Sequence, residues 1–261
     1  MPLETLEGKV ENVRARMRFP DAKVLRAMME SLGKILEEAR FTITTDGVRV
    51  VGMDPGKMAL IEVTMPAEAF LEYEVEGEVE MGVHLESLVN MLKRGRKGDT
   101  VLFLVSDDRV LVRIDAATVK RYLIPNIEVL AEVPEEINLE HDVEASVISD
   151  VVQRAVKDAE IVGSAIIIEA DDDTFKFKSQ GEGARRVEVI LTSESSSLLY
   201  LNVVKPSSSA YDIAYLKNVL NLAKVADAVD IKFSTDRPLE MVFKSPEGSK
   251  VRLLLAPTVL E

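Results

Sequence analysis

Residues 85–111, LESLVNMLKRGRKGDTVLFLVSDDRVL, can be laid over residues 213–239, IAYLKNVLNLAKVADAVDIKFSTDRPL, without a gap. Leu88, Asn90, Leu92, Asp99, Val101, Ser106, Asp108, Arg109 and Leu111 recur 128 positions later as Leu216, Asn218, Leu220, Asp227, Val229, Ser234, Asp236, Arg237 and Leu239. Earlier segments correspond more loosely: 21–39 with VISDVVQRAVKDAEIVG (147–163), and FTITTDGVRV with AIIIEADDDTFKFK. The period is too long for a solenoid, so the repeat predicts a tandem pair of similar α+β domains. A chain of 261 residues has room for two such cores.

The local patterns agree with that class. In VRARMRF (13–19), Val13, Ala15, Met17 and Phe19 face one side and three arginines the other, as in a half-buried strand. The period then changes: Leu25, Met28, Leu32, Ile35 and Leu36 form a helical stripe over 21–39, with Asp21 as N-cap. Alternating runs follow, including FTITTDGVRVVGMD with its Asp46-Gly47 turn, ALIEVTM, VEGEVEMGV, TVLFLVSDD and RVLVRID. Further helices are expected over LESLVNMLKR, VISDVVQRAVKDA and AYLKNVLNLAKVA. From Asn126 to Ala145 there are seven acids and no Lys or Arg, with Pro125 and Pro134 nearby; like charges and proline keep such a segment extended. Its apolar beads Val129, Leu130 and Val133 can dock on a surface, or the segment is a plain tether. The expected organisation is an N-terminal extension (1–12), a first domain (13–125), a connector (126–140) and a second domain (141–261).

Catalysis is poorly provisioned. The chain has no cysteine, which excludes disulfides, thiolate metal sites and cysteine nucleophiles. Its two histidines, His84 and His141, lie outside any metal-ligand spacing, and His84 reads as a structural residue at a strand end. Neither a Walker-type phosphate loop nor a GxSxG elbow is present. EADDDTF (169–175) could gather carboxylates around a divalent cation, but the flanking IIIEA and TFKFK alternations favour a hairpin turn. A magnesium-dependent phosphoryl-transfer enzyme using Asp171, Asp172 and Asp173 is the alternative from another class. No cofactor is expected. No apolar run approaches the length needed to span a bilayer, and MPLETLEGKVENVRAR has no apolar h-region, so neither a signal peptide nor a membrane partner is expected.

Charge is distributed unevenly. The formal net charge is −13, yet NMLKRGRKGD (90–99) concentrates Lys93, Arg94, Arg96 and Lys97 around Gly95. A helix end capped by Gly95 would explain this, and so would contact with a polyanion. The expected outer faces of the other helices carry Lys23, Arg26 and Lys34, then Arg154 and Lys157, then Lys217 and Lys224. No aromatic residues are interleaved with these cations, so the pattern fits loose phosphate contact without base stacking or sequence preference.

Four stretches in order carry a family resemblance: DGVRVVGMDPGKMALIEVTM (46–65), MGVHLESLVNMLK (81–93), STDRPLEMVF (234–243) and LLLAPTVLE (253–261). With the acidic linker between two halves, they resemble the archaeal and eukaryotic sliding clamp family, proliferating cell nuclear antigen, over about residues 13–261. The resemblance implies the α+β DNA clamp fold, two tandem domains with antiparallel sheets outside and two helices each lining a ring. It implies a non-catalytic processivity factor, a trimer built from itself or paralogous clamp subunits, encircling double-stranded DNA. A checkpoint-type clamp ring is a second possibility within the same fold. Implied partners are DNA polymerase, clamp loader, flap endonuclease and DNA ligase, each through a clamp-binding peptide. The implied location is cytoplasmic and nucleoid-associated in an archaeon, nuclear in a eukaryote.

By resemblance the DNA-facing residues are Lys23, Arg26, Lys93, Arg94, Arg96, Lys97, Arg121, Arg154, Lys157, Lys217 and Lys224. The partner-peptide pocket would comprise Met53, Lys57, Met58, Leu60, Val129, Ala131, Val133, Pro238, Leu254, Ala256, Pro257 and Val259. Subunit edges near 111–121 and 178–190 would use Leu111, Arg113, Val119, Arg121, Lys178, Arg185, Val187 and Val189. Gly33, Asn90 and Asn221 stand where family members often carry lysine, which implies a thinner inner charge.

Overall fold

A computed structural model describes residues 6–130 and 139–259. The strands and helices run β1 (Ala15–Phe19), α1 (Ala22–Leu32), β2 (Glu38–Thr44), β3 (Gly47–Met53), β4 (Ala59–Pro66), β5 (Glu72–Val75), β6 (Val79–His84), α2 (Leu85–Leu92), β7 (Thr100–Val105), β8 (Arg109–Asp115) and β9 (Val119–Pro125). They continue with β10 (Val143–Ile148), α3 (Ser149–Val162), β11 (Ala165–Ala170), β12 (Thr174–Gln180), β13 (Arg186–Thr192), β14 (Leu198–Val203), β15 (Ser207–Asp212), α4 (Ile213–Leu216), β16 (Ala228–Phe233), β17 (Leu239–Lys244) and β18 (Lys250–Leu255). Two compact units result. Unit one is Met1–Gly52, Glu62–Pro134 and Ser245–Lys250; unit two is Met53–Ile61, Glu135–Lys244 and Val251–Glu261.

In unit one an antiparallel sheet runs β5-β1-β7-β8-β9, and β2 pairs with both β3 and β6. Period-2 alternation gives each strand one apolar face. Ala15, Met17 and Phe19 are buried with Phe103 and Val112 on the side where α1 and α2 pack. Leu25, Met29 and Leu88 meet Met17, Phe41, Met81 and Phe103 there. Asp21 caps α1, accepting from the amides of Lys23 (2.8 Å) and Val24 (3.2 Å). The helix ends at Leu32, short of the expected 39, because Gly33 forms the C-cap and Glu38 opens the ladder to His84. Val13 departs from its alternation and joins a cluster with Val10, Leu102, Leu104 and Leu111 on the opposite face of the sheet.

Unit two repeats the plan. The ladder Ala15↔Val105 to Phe19↔Val101 recurs as Val143↔Phe233 to Val147↔Val229, displaced by 128 in both partners. Ala15↔Val75 recurs as Val143↔Val203. A second sheet runs β13-β12-β11-β15, and α3 packs on strands of both sheets through Val152, Ala155, Val156 and Ala159. Phe175 sits edge-on to Phe177 (5.2 Å) and Phe233 (6.2 Å) in this core. The expected fourth helix over 214–226 is broken into α4 and a 3-10 turn at Leu220–Lys224. At the break the Gln153 side chain donates to the Leu220 carbonyl (2.6 Å), satisfying a group that a continuous helix would have used.

The connector begins with a firm anchor. Asn126 donates to the carbonyls of Glu80 (3.0 Å) and Ser106 (2.9 Å) and accepts from the Gly82 amide (2.8 Å). Ile127 then donates to the Gly82 carbonyl (3.0 Å), adding one strand-like bond to β6. A Cβ at Gly82 would lie 1.8 Å from the Ile127 carbonyl oxygen, so only glycine permits this approach. Gly82→Ala is therefore expected to destabilise unit one by about 2 kcal/mol. In hydrogen exchange the Ile127 amide should lose protection while β16 and β17 keep theirs; an unchanged Ile127 would refute the anchor.

Candidate functional site

The basic loop after α2 is built by backbone contacts rather than by a glycine cap. Lys93 is the C-cap residue, in right-handed helical geometry, and Gly95 has no positive φ. Gly95 is buried instead, where a Cβ would come within 2.5 Å of the Ala22 Cβ; its small size lets α2 close on the start of α1. Two aspartates hold the rest. The Asp21 carboxylate accepts from the Gly98 amide (3.1 Å), and Asp99 accepts from the Arg96 amide (2.7 Å) through its side chain and from the Ala22 amide (2.8 Å) through its carbonyl. Lys93, Arg94, Arg96 and Lys97 are left exposed beside the first turn of α1, which carries half-buried Lys23.

Neighbouring acids reduce the positive charge elsewhere. On α1, Arg26 lies 3.6 Å from Glu30. In unit two Arg154 is 2.7 Å from Asp150, and Lys217 pairs with Glu160. Lys157 meets neutral Gln153 (3.2 Å), and Lys224 is exposed at the end of the 3-10 turn. The break after α4 takes Lys217 and Lys224 off a common helix face.

Arg121 does not belong with the helix-side cations. Opposite Arg113 in the ladder, it projects to the sheet face away from α1 and α2 and donates to Glu7 (2.8 Å). Its neighbour Lys120, paired with buried Ile114, is on the helix side and donates to the Arg94 carbonyl at the end of α2 (2.7 Å). Sequence reading missed Lys120; the alternation of RVLVRID, carried across the hairpin, is the signal that separates 120 from 121.

A second cluster lies within unit two. Asp54 is buried in the MDPGKM turn and accepts from the amides of Gly56 (3.0 Å), Met58 (2.7 Å) and Ala59 (2.6 Å), and from the Tyr215 hydroxyl (3.0 Å). Burial raises the Asp54 pKa, but the Ala59, Tyr215, Gly56 and Met58 hydrogen bonds together bring it below the ordinary value. The turn leaves Lys57 exposed at φ 56° with Met53 and Met58 half-exposed. The Ala256 amide donates to the Met58 carbonyl (2.9 Å), drawing Ala256 and Pro257 alongside. Tyr211 donates to the Arg237 carbonyl (2.9 Å) next to half-buried Pro238, and Thr258 donates to the Ala210 carbonyl (2.8 Å).

Several expected pocket residues are placed otherwise. Leu60 and Leu254 are core side chains. Val129 is buried against Gly82 of unit one, whereas adjacent Leu130 is 91% exposed. Val259 is exposed, and Ala131 and Val133 lie outside the described residues. Asp54 and Tyr215 were not anticipated; the D-P-G sequence is the signal for the side-chain-capped turn.

Residues 15–125 match the family model for the N-terminal domain of proliferating cell nuclear antigen, and residues 136–258 the model for its C-terminal domain. The chain belongs to the proliferating cell nuclear antigen family. The DNA polymerase sliding clamp 1 of Aeropyrum pernix is 44% identical over 241 residues, spanning 91% of this chain and 98% of the relative. The DNA polymerase sliding clamp of Pyrococcus abyssi is 32% identical over 247 residues, 93% and 98% of the two chains. The crystal structure of proliferating cell nuclear antigen from Thermococcus kodakaraensis superposes with a TM-score of 0.88 at 27% identity, covering 94% of this chain and all of that one. This is the clamp fold, α+β with two tandem similar domains.

Both expected edges are terminal strands, as are β5, β6, β14 and β15. β9 ends the sheet of unit one and β13 ends a sheet of unit two. Val119 and Arg121 are on β9, and Val187 and Val189 are half-buried on β13 with Arg185 just before it. Leu111 and Arg113 are on β8, one strand inside the edge, and Leu111 is fully buried. Lys178 is likewise one strand inside, on β12, bonded to Glu169 (2.8 Å).

The acidic cluster is a turn. Asp171 accepts from the Thr174 amide and hydroxyl (both 2.9 Å), the Asp173 amide (3.2 Å) and Lys176 (3.2 Å), closing the β11–β12 hairpin. Among the described residues there is no group of three His, Cys, Asp or Glu placed to hold a metal ion. His84 is exposed beside Glu38 (3.0 Å) at the end of β6.

A titration checks the Asp54 assignment. Because its folded pKa is depressed, its stabilising effect is present above the unfolded value near 3.9 and fades as pH falls through the folded value. Asp54→Asn is expected to lower unit-two stability by about 2 kcal/mol at neutral pH, with the difference from wild type shrinking only in strong acid. Denaturant titration at neutral and strongly acidic pH reads this; a difference already lost by pH 5 (roughly one unit above the unfolded value) would contradict it.

Proposed function

We propose that this chain is one subunit of a sliding clamp that encircles double-stranded DNA and tethers replication and repair enzymes. Residues 13–125 and 141–261 would be its clamp domains and 126–140 the connector. The observation that carries this reading is the pinned basic loop of a family member. Lys93, Arg94, Arg96 and Lys97 are exposed next to Lys23, and Lys120 joins them from β9. Cations of this kind contact phosphates without reading bases. With a formal net charge of −13, tight binding is disfavoured, and topology rather than affinity keeps a closed ring on its track. No side chain is assigned a catalytic role; the subunit acts by holding partners at high effective concentration on the chromosome.

The peptide site of this proposal is the surface of Met53, Lys57, Met58, Pro238, Ala256 and Pro257. Methionines adapt to varied apolar anchors, which suits a site serving polymerase, clamp loader, flap endonuclease and ligase peptides in turn. The ring would close by strand addition between β9 of one subunit and β13 of the next, which gives both open edges a partner.

Light scattering of the purified chain, alone and with paralogous clamp chains, should detect a trimer in one of the two mixtures. Replacing Lys93, Arg94 and Lys157 together by alanine should lower polymerase stimulation on primed circular DNA by about threefold to tenfold, with the gap narrowing as salt rises. Affinity for a clamp-binding peptide should be unchanged. Undiminished stimulation would remove these residues from the DNA path.

A further inference from the structure

The first family model begins at residue 15, yet residues 6–13 are built onto the face of the first unit's sheet that α1 and α2 leave uncovered. Leu6, Val10 and Val13 pack on Leu102, Leu104, Leu111 and Leu123. A 3-10 turn at Leu6–Lys9 lies against β9 itself. From this turn Glu7 Oε1 accepts from Arg113 Nη1 on β8 (3.0 Å) and Arg121 Nε on β9 (2.8 Å).

The placement solves an electrostatic problem. Arg113 and Arg121 are opposite one another in the ladder, and like charges so placed repel. Arg113 also has Asp115 (2.6 Å), which continues through Arg18 (2.5 Å) to Glu72 (2.6 Å), so the chain of ion pairs crosses the sheet to β5. Glu7 extends that chain to the edge strand. The Arg121 hydrogen bond, with Arg113 beside it, holds the Glu7 carboxyl below its usual range.

β13, the edge that would meet β9, opens on exposed Arg185 and Arg186, with Glu182 just before them and Glu188 further along the strand, 3.5 Å from Lys178. The arginines at the start of β13 would resist Arg121 unless it is neutralised. We propose that residues 6–13 form a clasp on the assembly edge, and that Glu7 neutralises Arg121 so that the arginine-bearing start of a second clamp chain's β13 can close on β9. The clasp covers the face beside the edge and leaves the hydrogen-bonding side of β9 open. This proposal rests on the ring reading above.

Sedimentation of the wild-type, Glu7→Gln and Val10→Ala chains at low and high salt tests it, with whichever clamp chains the wild type assembles. Glu7→Gln preserves shape but removes the charge; it should weaken assembly about tenfold at low salt, with the gap closing as salt screens the arginines. Val10→Ala loosens the apolar cover and leaves the carboxylate; it should lower melting temperature with little change in assembly or its salt dependence. Equal assembly of wild type and Glu7→Gln overturns the clasp while leaving the ring intact. A salt-independent loss shared by both variants also overturns it, because that would mark a purely structural cover. A wild type that assembles with no clamp chain overturns the ring reading, and the clasp with it.

Discussion

Every sheet here must divide its residues between a face that helices cover and one that they do not, and successive residues cannot choose the same side. That parity rule organises the molecule. It sends Ala15, Met17 and Phe19 under α1 and α2, and leaves Arg16 and Arg18 on the other side to find acids. In unit two it sends Val143, Ala145 and Val147 inward, while Glu144 bonds to Lys232 at 2.9 Å across the opposite face. A shift of one residue reverses a side chain's role. Lys120 supports the end of the helix that carries the basic loop, and Arg121 bonds to Glu7 on the opposite face of the sheet.

The charge on the protein follows from local pairing more than from totals. Acids on α1 and α3 stand four residues from arginines and offset them, as Glu30 does for Arg26 and Asp150 for Arg154. After α2 the acids work differently. Asp21 and Asp99 spend their oxygens on backbone amides, which fixes the loop and leaves its cations exposed. A sparse, well-placed set of cations on a strongly acidic chain suits an object that must touch DNA and still move along it.

The two halves share backbone ladders but not every helix. Registers repeat with an offset of 128, while α2 is a continuous helix and its counterpart is α4 followed by a 3-10 turn. The ladder is held by many hydrogen bonds at once and resists change; a helix end is set by a few groups, here the Gln153 amide at the Leu220 carbonyl. The N-terminal clasp is a further departure between the halves, added where unit one meets its open edge.

Sequence by itself determined the doubled α+β plan, the alternation of the strands, the Asp171 hairpin and the family, because each is written in local spacing or in ordered motifs. It also identified the cations of the loop after α2. It did not determine which of the other expected cations are offset by an acid, since Glu160 opposite Lys217 and Glu7 opposite Arg121 are far from them along the chain. Burial of Leu60, Leu254 and Leu111 was likewise decided by tertiary contact, because an apolar residue reads the same in a core as on a docking surface. That β9 and β13 are terminal strands emerged only once the strands were ordered, for hydrogen-bond partners in a sheet are chosen across space and leave no mark in spacing along the chain.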